Sequence, residues 1–336
     1  MEHHTIDEIL ACLRGERTVY PYYRDRYSIG LLRQLSRHSR RGEPLSVASL
    51  KRSPYASLLQ KPRIKFALAK LGHDRIDDLF LAAHDHDPDQ EYFVLTLDTW
   101  GNEQRAGRQR RQTSRPGLNL VLQLNFSSDH DRRYQRLGCR RSLFNYSGHP
   151  VSDSRNTLAW ARIDLDWDSN CALIEEIQSD WIRSVVWLAG RVERKLLSGC
   201  PATDVILYRG LRLPLAVAQT YCAYIQERYA AIWAEAILWA SVQFIREELG
   251  LSQVFYHSEQ GGRLLKGIRG SAPPRSLYTD LPRRFCFAST REVPDFLAED
   301  REVRQLLRQY PEIEFFCLRP DSAESVSSLR LTWPVS

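Results

Sequence analysis

The polar residues best suited to catalysis stand in one string, IEEIQSDW, which runs from Ile174 to Trp181. Alternate residues of a strand point to opposite faces, so Glu176, Gln178 and Asp180 would share one face. A wholly polar strand face beside an apolar core indicates a cleft, where a carboxylate can act as a general base or bind a cationic group. The alternative is a solvent-facing strand side, with Asp180 as the N-cap of a helix that starts at Trp181.

A second polar string, YHSEQ, follows another short apolar strand and contains His257 and Glu259. In an open α/β sheet the ends of neighbouring strands meet in one crevice, where ligands tend to bind. We therefore expect His257 and Glu259 to enter the same cleft as the IEEIQSDW string. Glu176 or His257 would serve as the base, and Gln178, both a donor and an acceptor, would position the substrate.

The elements that must position these residues form a mixed pattern. Residues 6 to 84 carry apolar side chains at helical spacing, and EYFVLTLDTW after them predicts a strand. From Leu118 onward the pattern predicts three strands, two helices (Trp181 to Leu197 and Tyr221 to Leu249), then strand, helix and strand, with Gly250 as a helix stop. The predicted fold class is α/β (α+β), a mostly antiparallel sheet flanked by helices, with an N-terminal helical region. The predicted units are a helical region over 1–90, a strand and arginine-rich linker over 91–117, and an α/β domain over 118–336.

Three stretches, HPVSDSRNTLAWARIDLD, ALIEEIQSDW and WAEAILWASVQFIREELGLSQVFYHSEQGGRL, resemble the EIQSDW-containing domain of polyvalent proteins from phages and other mobile elements. The resemblance covers about half of the chain, and an insertion that contains VILYRGLRLPL departs from it. It implies a bacterial, phage or mobile-element origin. The candidate catalytic residues are then Glu176, Asp180 and His257, and the candidate substrate-binding residues are His149, Gln178, Ser179, Trp181, Tyr256, Glu259 and Gln260.

The strand order is also similar to that of the GNAT acyltransferase superfamily, which implies a GNAT-like transferase acting on a nucleic-acid or protein substrate. GNAT enzymes bind the pyrophosphate of acyl-CoA on backbone amides at a helix start, through an Arg/Gln-x-x-Gly-x-Gly/Ala loop. This sequence has QSDWIRS there, without the glycines that allow close backbone approach, and Asp180 would repel a pyrophosphate. The cofactor is therefore left unknown.

Positive charge is concentrated between Arg105 and Arg141. This segment has ten arginines, two aspartates and no lysine, a local net charge of +8 in a chain whose total is +6. Such concentration favours an anionic partner such as nucleic acid, because each neutralised phosphate releases a counterion. A non-catalytic nucleic-acid-binding protein is one alternative function, and a solvated arginine-rich loop is the ordinary explanation. The candidate nucleic-acid-binding residues are Arg105, Arg108, Arg110, Arg111 and Arg115.

A further alternative is ADP-ribosyl transfer, because ILYRGL, FAST and EIE resemble the Arg, Ser-Thr-Ser and Glu-x-Glu elements of that family in order. Arg209 would hold the NAD phosphates, with Ser289 beside it, and Glu314 would hold the ribose. The long interval between Arg209 and Ser289 speaks against this match. The string HDHDPD from His84 to Asp89 has metal-ligand residue types, but such loops are usually solvated, and no metal site is predicted.

The overall composition restricts the class of protein to which the chain can belong. With 336 residues, 43% hydrophobic and 26% charged, the chain can form a sizeable folded core, which excludes disorder as its main state. Its seven cysteines include no CxxC pair, which speaks against a zinc ribbon or a disulfide scaffold. No apolar run is long enough to span a membrane, and the first residues lack a secretory pattern, so a cytoplasmic protein without a membrane partner is expected. The oligomeric state is left open.

Overall fold

The architecture is that of a computed structural model, which describes residues 1, 3–12, 18–39, 43–102, 112–138, 143–268 and 274–319. Within these ranges an eight-stranded sheet has the order β1-β4-β5-β6-β7-β10-β12-β11. All neighbouring strands are antiparallel except β7 and β10, which are parallel. The strands of this sheet are β1 (Thr18–Tyr22), β4 (Glu91–Asn102), β5 (Gly117–Phe126), β6 (Thr157–Asp166), β7 (Cys171–Gln178), β10 (Gln253–His257), β11 (Ala288–Thr290) and β12 (Phe315–Leu318).

Two small antiparallel pairs and thirteen α-helices surround this sheet in the described part of the chain. The pairs are β2 (Leu45–Ser46) with β3 (Arg75–Ile76), and β8 (Val205–Tyr208) with β9 (Leu211–Pro214). The helices are α1 (His3–Cys12), α2 (Arg26–His38), α3 (Val47–Lys51), α4 (Pro62–Leu68), α5 (Asp78–Ala83), α6 (Ser128–Gln135), α7 (Asp180–Leu197), α8 (Leu215–Arg228), α9 (Trp233–Gln243), α10 (Glu259–Leu265), α11 (Asp280–Arg284), α12 (Asp295–Ala298) and α13 (Arg301–Gln309). Among the described helices, none combines the length and the apolar character that crossing a membrane requires.

The central strands are buried on both faces because helices cover the sheet. Nearly every residue of β5 and β6 is buried, including polar residues of β5 such as Gln123 and Asn125. Gln123 donates to Asp98 and to the carbonyl of Pro150, which satisfies its amide in the interior. The apolar helix α9 packs against β5, β6 and β7, as expected for a helix with apolar residues all round.

The predicted fold class is confirmed at this level: a mixed α/β protein with a large, mostly antiparallel sheet flanked by helices. Helix α7 lies where the pattern placed it. The predicted helix over 221–249 is instead α8, α9 and a π-helical turn, Phe244–Glu248, ended by Gly250 at a φ of +72°. The last strand of the predicted pattern, in RSLYTDLPRRFCFAS, is instead a 3-10 turn, Arg275–Tyr278, followed by the helix α11. Helix α11 begins at Asp280 with Pro282 in its first turn, and only Ala288–Thr290 is extended.

The sheet crosses both of the predicted domain boundaries. The region 1–90 is mainly helical, but its strand β1 pairs with β4 along the edge of the sheet. Strand β4 falls in the predicted linker and pairs with β5 over ten residue pairs. Pairing of this extent makes β1 and β4 parts of the same sheet that carries the IEEIQSDW string.

Candidate functional site

The sheet opens at the end of β7. The parallel pairing of β7 with β10 reaches its last pair at Ile174 and Tyr256, while β7 continues to Gln178. The pairing of β7 with β6 also shifts here, because Arg162 lies opposite Glu176 and Ile163 lies opposite Ile174. Glu175 is therefore the extra residue of a β-bulge, a feature that bends a strand and redirects its side chains.

A cleft of about 680 Å³ lies at this opening. This volume is within the range of small-molecule sites in proteins, roughly 300–1,000 Å³. Four predicted site residues line it: His149, Glu176, Gln178 and Ser179. The other residues that matter for its chemistry are Trp100, Gln112, Trp160, Arg162, Arg183 and Trp233.

Trp160 Nε1, a donor, and Gln178 Oε1, an acceptor, belong to cleft-lining residues and have no hydrogen-bond partner in the described part of the chain. Trp160 is only 3% exposed. A buried polar atom without a partner costs about 1–3 kcal/mol, so such atoms in native proteins usually have a role.

His149 and Asp180 form a hydrogen-bonded pair at the cleft wall. His149 Nδ1 lies 2.8 Å from Asp180 Oδ2, with the two side chains 25% and 6% exposed. An ionised carboxylate only accepts hydrogen bonds, so Nδ1 carries the proton and the lone pair of the neutral ring is at Nε2. This is the arrangement of a histidine general base oriented by a carboxylate.

Asp180 is free for this contact because it is not the helix cap. Ser179 is the N-cap of α7: its hydroxyl accepts from the Ile182 N–H at 3.1 Å and donates to the Leu158 carbonyl at 2.6 Å. The alternative prediction, in which Asp180 caps the helix, is therefore wrong. Besides His149, the Asp180 carboxylate lies 3.5 Å from Arg183 Nη2.

Glu176 is held by two buried cations. Its carboxylate is paired with the Arg162 guanidinium, and Lys266 Nζ lies 3.6 Å away. Burial alone would raise the pKa of Glu176, but the positive charges of Lys266 and Arg162 outweigh it and hold the pKa below its usual value. A carboxylate stabilised in its ionised form is a weak base, so this geometry favours His149 over Glu176 as the base.

A second buried cluster, Ser114, Glu175 and His257, lies on this part of the sheet. Glu175 Oε1 accepts from the Ser114 N–H at 3.0 Å, and Oε2 accepts from the Ser114 hydroxyl at 2.7 Å. His257 Nε2 lies 2.7 Å from the Ser114 hydroxyl and 3.1 Å from Glu175 Oε2. All three residues are fully buried, and Lys266 Nζ donates to the Glu175 backbone carbonyl at 2.9 Å. His257, which the sequence placed in the cleft with Glu176, is not among the residues that line it, and its carboxylate partner is Glu175.

This cluster is not arranged as a nucleophilic triad. The serine donates its proton to Glu175, and Glu175 and Ser114 face the same nitrogen of His257, whereas a triad places acid and nucleophile on opposite ring nitrogens. Burial lowers the pKa of His257, which favours the neutral ring with its proton on Nε2. Its Nδ1, then an acceptor, has no partner among the described residues. The cluster holds the chain at Ser114, two residues from the cleft-lining Gln112.

The remaining predicted substrate-binding residues do not line the cleft. Trp181 is fully buried in an aromatic cluster and donates from Nε1 to the Tyr221 hydroxyl at 2.9 Å. Tyr256 is also fully buried, and its hydroxyl donates to the Leu277 carbonyl. At the surface, Glu259 pairs with Arg275 at 3.5 Å, and Gln260 donates to Glu312 at 3.2 Å. The structure therefore places Trp181 and Tyr256 in the core and Glu259 and Gln260 in helix α10, which begins at Glu259, and none of the four lines the cleft.

Of the candidate nucleic-acid-binding residues, Arg105, Arg108, Arg110 and Arg111 lie outside the described residues. Arg115 is described, and its guanidinium has other partners. It donates from Nε to the buried Asp164 carboxylate at 2.7 Å and lies over the Phe296 ring at 4.2 Å. Arg115 lies two residues before β5, and these contacts within the protein engage its guanidinium.

Of the three residues named for ADP-ribosyl transfer, the structure joins only Ser289 and Glu314. The Ser289 hydroxyl donates to the Glu314 carboxylate at 2.9 Å. Arg209 lies on the turn between β8 and β9 with φ +46° and donates to the carbonyls of Leu143 and Asn145. Within the described residues no hydrogen bond or ion pair joins Arg209 to Ser289 or Glu314.

Two aspartates of the HDHDPD string are paired with arginines. Asp85 accepts from Arg26, and Asp87 pairs with Arg63. Across the described ranges no group of three or more His, Cys, Asp or Glu side chains is placed to hold a metal ion.

Sequence reasoning missed Arg162, Lys266, Glu175, Ser114 and Trp160. Arg162 had a readable signal, because a central position of a strand as apolar as TLAWARIDLD seldom takes a charged residue without a buried partner. Lys266 and Ser114 gave no such signal, because they come from distant segments.

No family model, curated protein or solved structure matches the chain.

Proposed function

We propose that the protein is a GNAT-like acyl transferase in which His149, oriented by Asp180, takes the proton from an acceptor nucleophile bound in the cleft. The observation that carries this proposal is the His149–Asp180 hydrogen bond of 2.8 Å at the wall of a 680 Å³ cleft. The pair leaves Nε2 as the accepting nitrogen and gives the ring a buried counter-charge once it is protonated.

In the proposed reaction His149 both takes the proton from the acceptor and returns it to the leaving thiolate. A hydroxyl or amine of the acceptor passes its proton to His149 Nε2 while its heteroatom attacks the carbonyl carbon of an acyl thioester. The carbon–sulfur bond then breaks, and the thiolate leaves with the proton that His149 returns. Asp180 stabilises the imidazolium formed between these two events.

The topology supports the choice of this class. Antiparallel strands lead to β7, helix α7 crosses over, and β10 returns parallel to β7, with β12 inserted between β10 and β11. The cleft lies where β7 and β10 cease to pair. A crevice beyond the carboxyl ends of parallel strands is a preferred ligand site.

The donor we propose is recognised through its thioester arm and not through a pyrophosphate. At the start of α7 the Ile182 amide is capped by Ser179, and the Asp180 carboxylate occupies the first turn. Negative charge at this place opposes a second anion, although a helix N-terminus otherwise attracts one.

A donor comparison tests this proposal. Acetyl-pantetheine and acetyl-CoA are expected to give kcat/KM values within about threefold of each other, because no nucleotide-binding energy separates them. The measurement is thiol release in the presence of a panel of amine and hydroxyl acceptors. A preference for acetyl-CoA of about tenfold or more would refute arm-only recognition. Absence of thiol release from both donors with every acceptor would refute the transferase.

We propose nucleic acid as the acceptor class. Trp100 and Gln112, on either side of the segment that contains Arg105, Arg108, Arg110 and Arg111, both line the cleft. The densest positive charge of the sequence is thus joined at both ends to cleft-lining residues. A segment with this density of positive charge attracts a polyanion and raises its local concentration.

Charge reversal tests the acceptor class. The triple variant R108E/R110E/R111E is expected to elute from heparin at clearly lower salt and to lower the salt slope of nucleic-acid binding by about three. The matched control is R301E/R304E/R308E on helix α13, which makes the same charge change on exposed residues that do not line the cleft. Equal losses in both variants would indicate a net-charge effect and contradict a specific interface.

A further inference from the structure

A second pocket, of about 300 Å³, lies between α6 and α8, and none of the residues placed in the cleft lines it. Its walls are mainly apolar and include Leu137, Ala216, Val217 and the ring of Tyr221. No acidic side chain is among its eight lining residues. Its composition therefore suits an apolar group of modest size.

Two arginines stand at this apolar pocket, Arg133 and Arg136. Arg132 on the same helix is paired with Asp129, whereas no ion pair within the described ranges involves Arg133 or Arg136. The Arg133 guanidinium lies over the Tyr224 ring, 4.7 Å from its centroid, which fixes its position beside the pocket. Two arginines without a carboxylate partner provide fork-shaped donors for an anion.

The pocket floor is held in place by hydrogen bonds. The Tyr221 hydroxyl lies 2.8 Å from His130 Nε2 and accepts from Trp181 Nε1 at 2.9 Å. The Tyr224 hydroxyl lies 3.0 Å from that of Tyr229. Since these rings are already fixed, a ligand would not have to order them on binding, which lowers the entropic cost of association.

From this juxtaposition we propose that the pocket between α6 and α8 binds a small amphipathic anion. The hydrocarbon or aryl part fills the space against Leu137, Val217 and Tyr221. The anionic head, a carboxylate or a phosphate monoester, is bound by Arg133 and Arg136. Both heads offer the same arrangement of acceptor oxygens to a guanidinium.

Isothermal titration of the full chain with defined probes tests this proposal. Octanoate or octyl phosphate is expected to bind at least about tenfold tighter than octanamide, which has a similar shape but no charge, because a charge-assisted hydrogen bond is lost. The stronger of the two anions identifies the head group. Acetate, which has no tail, should bind much more weakly than octanoate.

Variants locate the site. R133Q and R136Q should each weaken binding of the anion about tenfold and leave octanamide unchanged. R132Q, on the same helix but paired with Asp129, should bind like the unaltered protein. Ala216→Trp at an exposed position of the lining should fill the pocket and abolish binding without loss of melting temperature.

Four results would overturn the proposal. The first is octanamide binding as tightly as octanoate, and the second is an equal loss in R132Q and R133Q. The third is that neither anion binds, and the fourth is binding that persists in the Ala216→Trp variant. None of these measurements depends on turnover in the cleft.

Discussion

Replacement of His149 with alanine is expected to lower kcat of thioester turnover about 10²–10⁴-fold, the usual contribution of a positioned general base. The reason is that no other described residue that lines the cleft combines an accepting nitrogen with a buried orienting carboxylate. The measurement is thiol release at saturating donor and acceptor. Because the His149 side chain is a quarter exposed and Ser179 caps the helix, the melting temperature should change little.

The partner variant Asp180→Asn separates orientation from general charge effects. An asparagine keeps the shape but can donate to His149 Nδ1, which would place the ring proton on Nε2 and remove the accepting nitrogen from the cleft. We expect kcat to fall with KM little changed. Activity of the His149→Ala variant within about threefold of the unaltered protein would assign the base elsewhere.

The largest expected effect on stability comes from Glu175→Gln, which should reduce the free energy of unfolding by about 3 kcal/mol at pH 7. The carboxylate is fully buried, binds both donors of Ser114 and lies near the cations Lys266 and Arg162. Removal of its charge leaves those buried cations less compensated. Urea unfolding followed by tryptophan fluorescence measures the change, with the exposed Glu312→Gln as the matched control.

The same variant should alter the pH dependence of stability. Burial alone would raise the pKa of Glu175, but its hydrogen bond with His257 and the charges of Lys266 and Arg162 lower it below the usual 4.5. A lowered folded pKa gives stability that is complete above the unfolded value and is lost as the pH falls through the folded one. The difference between Glu175→Gln and the unaltered protein should therefore shrink as the pH drops below about 4.5. A constant difference down to pH 2 would contradict an ionised Glu175.

Local patterns of the sequence were sufficient for much of the fold class. The run of strands before IEEIQSDW, the helix after it, and Gly250 as a helix stop follow from neighbouring residues alone, and the structure confirms them. Short-range rules work here because hairpins and caps are satisfied within a few residues. They failed for α11, where apolar residues predicted a strand and the proline in the first turn favoured a helix.

The sequence by itself also predicted that His149, Glu176, Gln178 and Asp180 would lie in one region, from the strand pattern and, for His149, from the resemblance. Only the tertiary structure decided which partner each side chain contacts. The bulge at Glu175 breaks the two-residue alternation that the prediction assumed, so Glu175 contacts His257 while Glu176 contacts Arg162. Asp180 became the partner of His149 because Ser179 supplies the cap, a choice between two adjacent capping residues that the sequence leaves open. Lys266 is distant in sequence, but the fold brings it beside Glu175 and Glu176. A buried carboxylate is stabilised by a nearby cation, and the sequence does not show which segment supplies that cation.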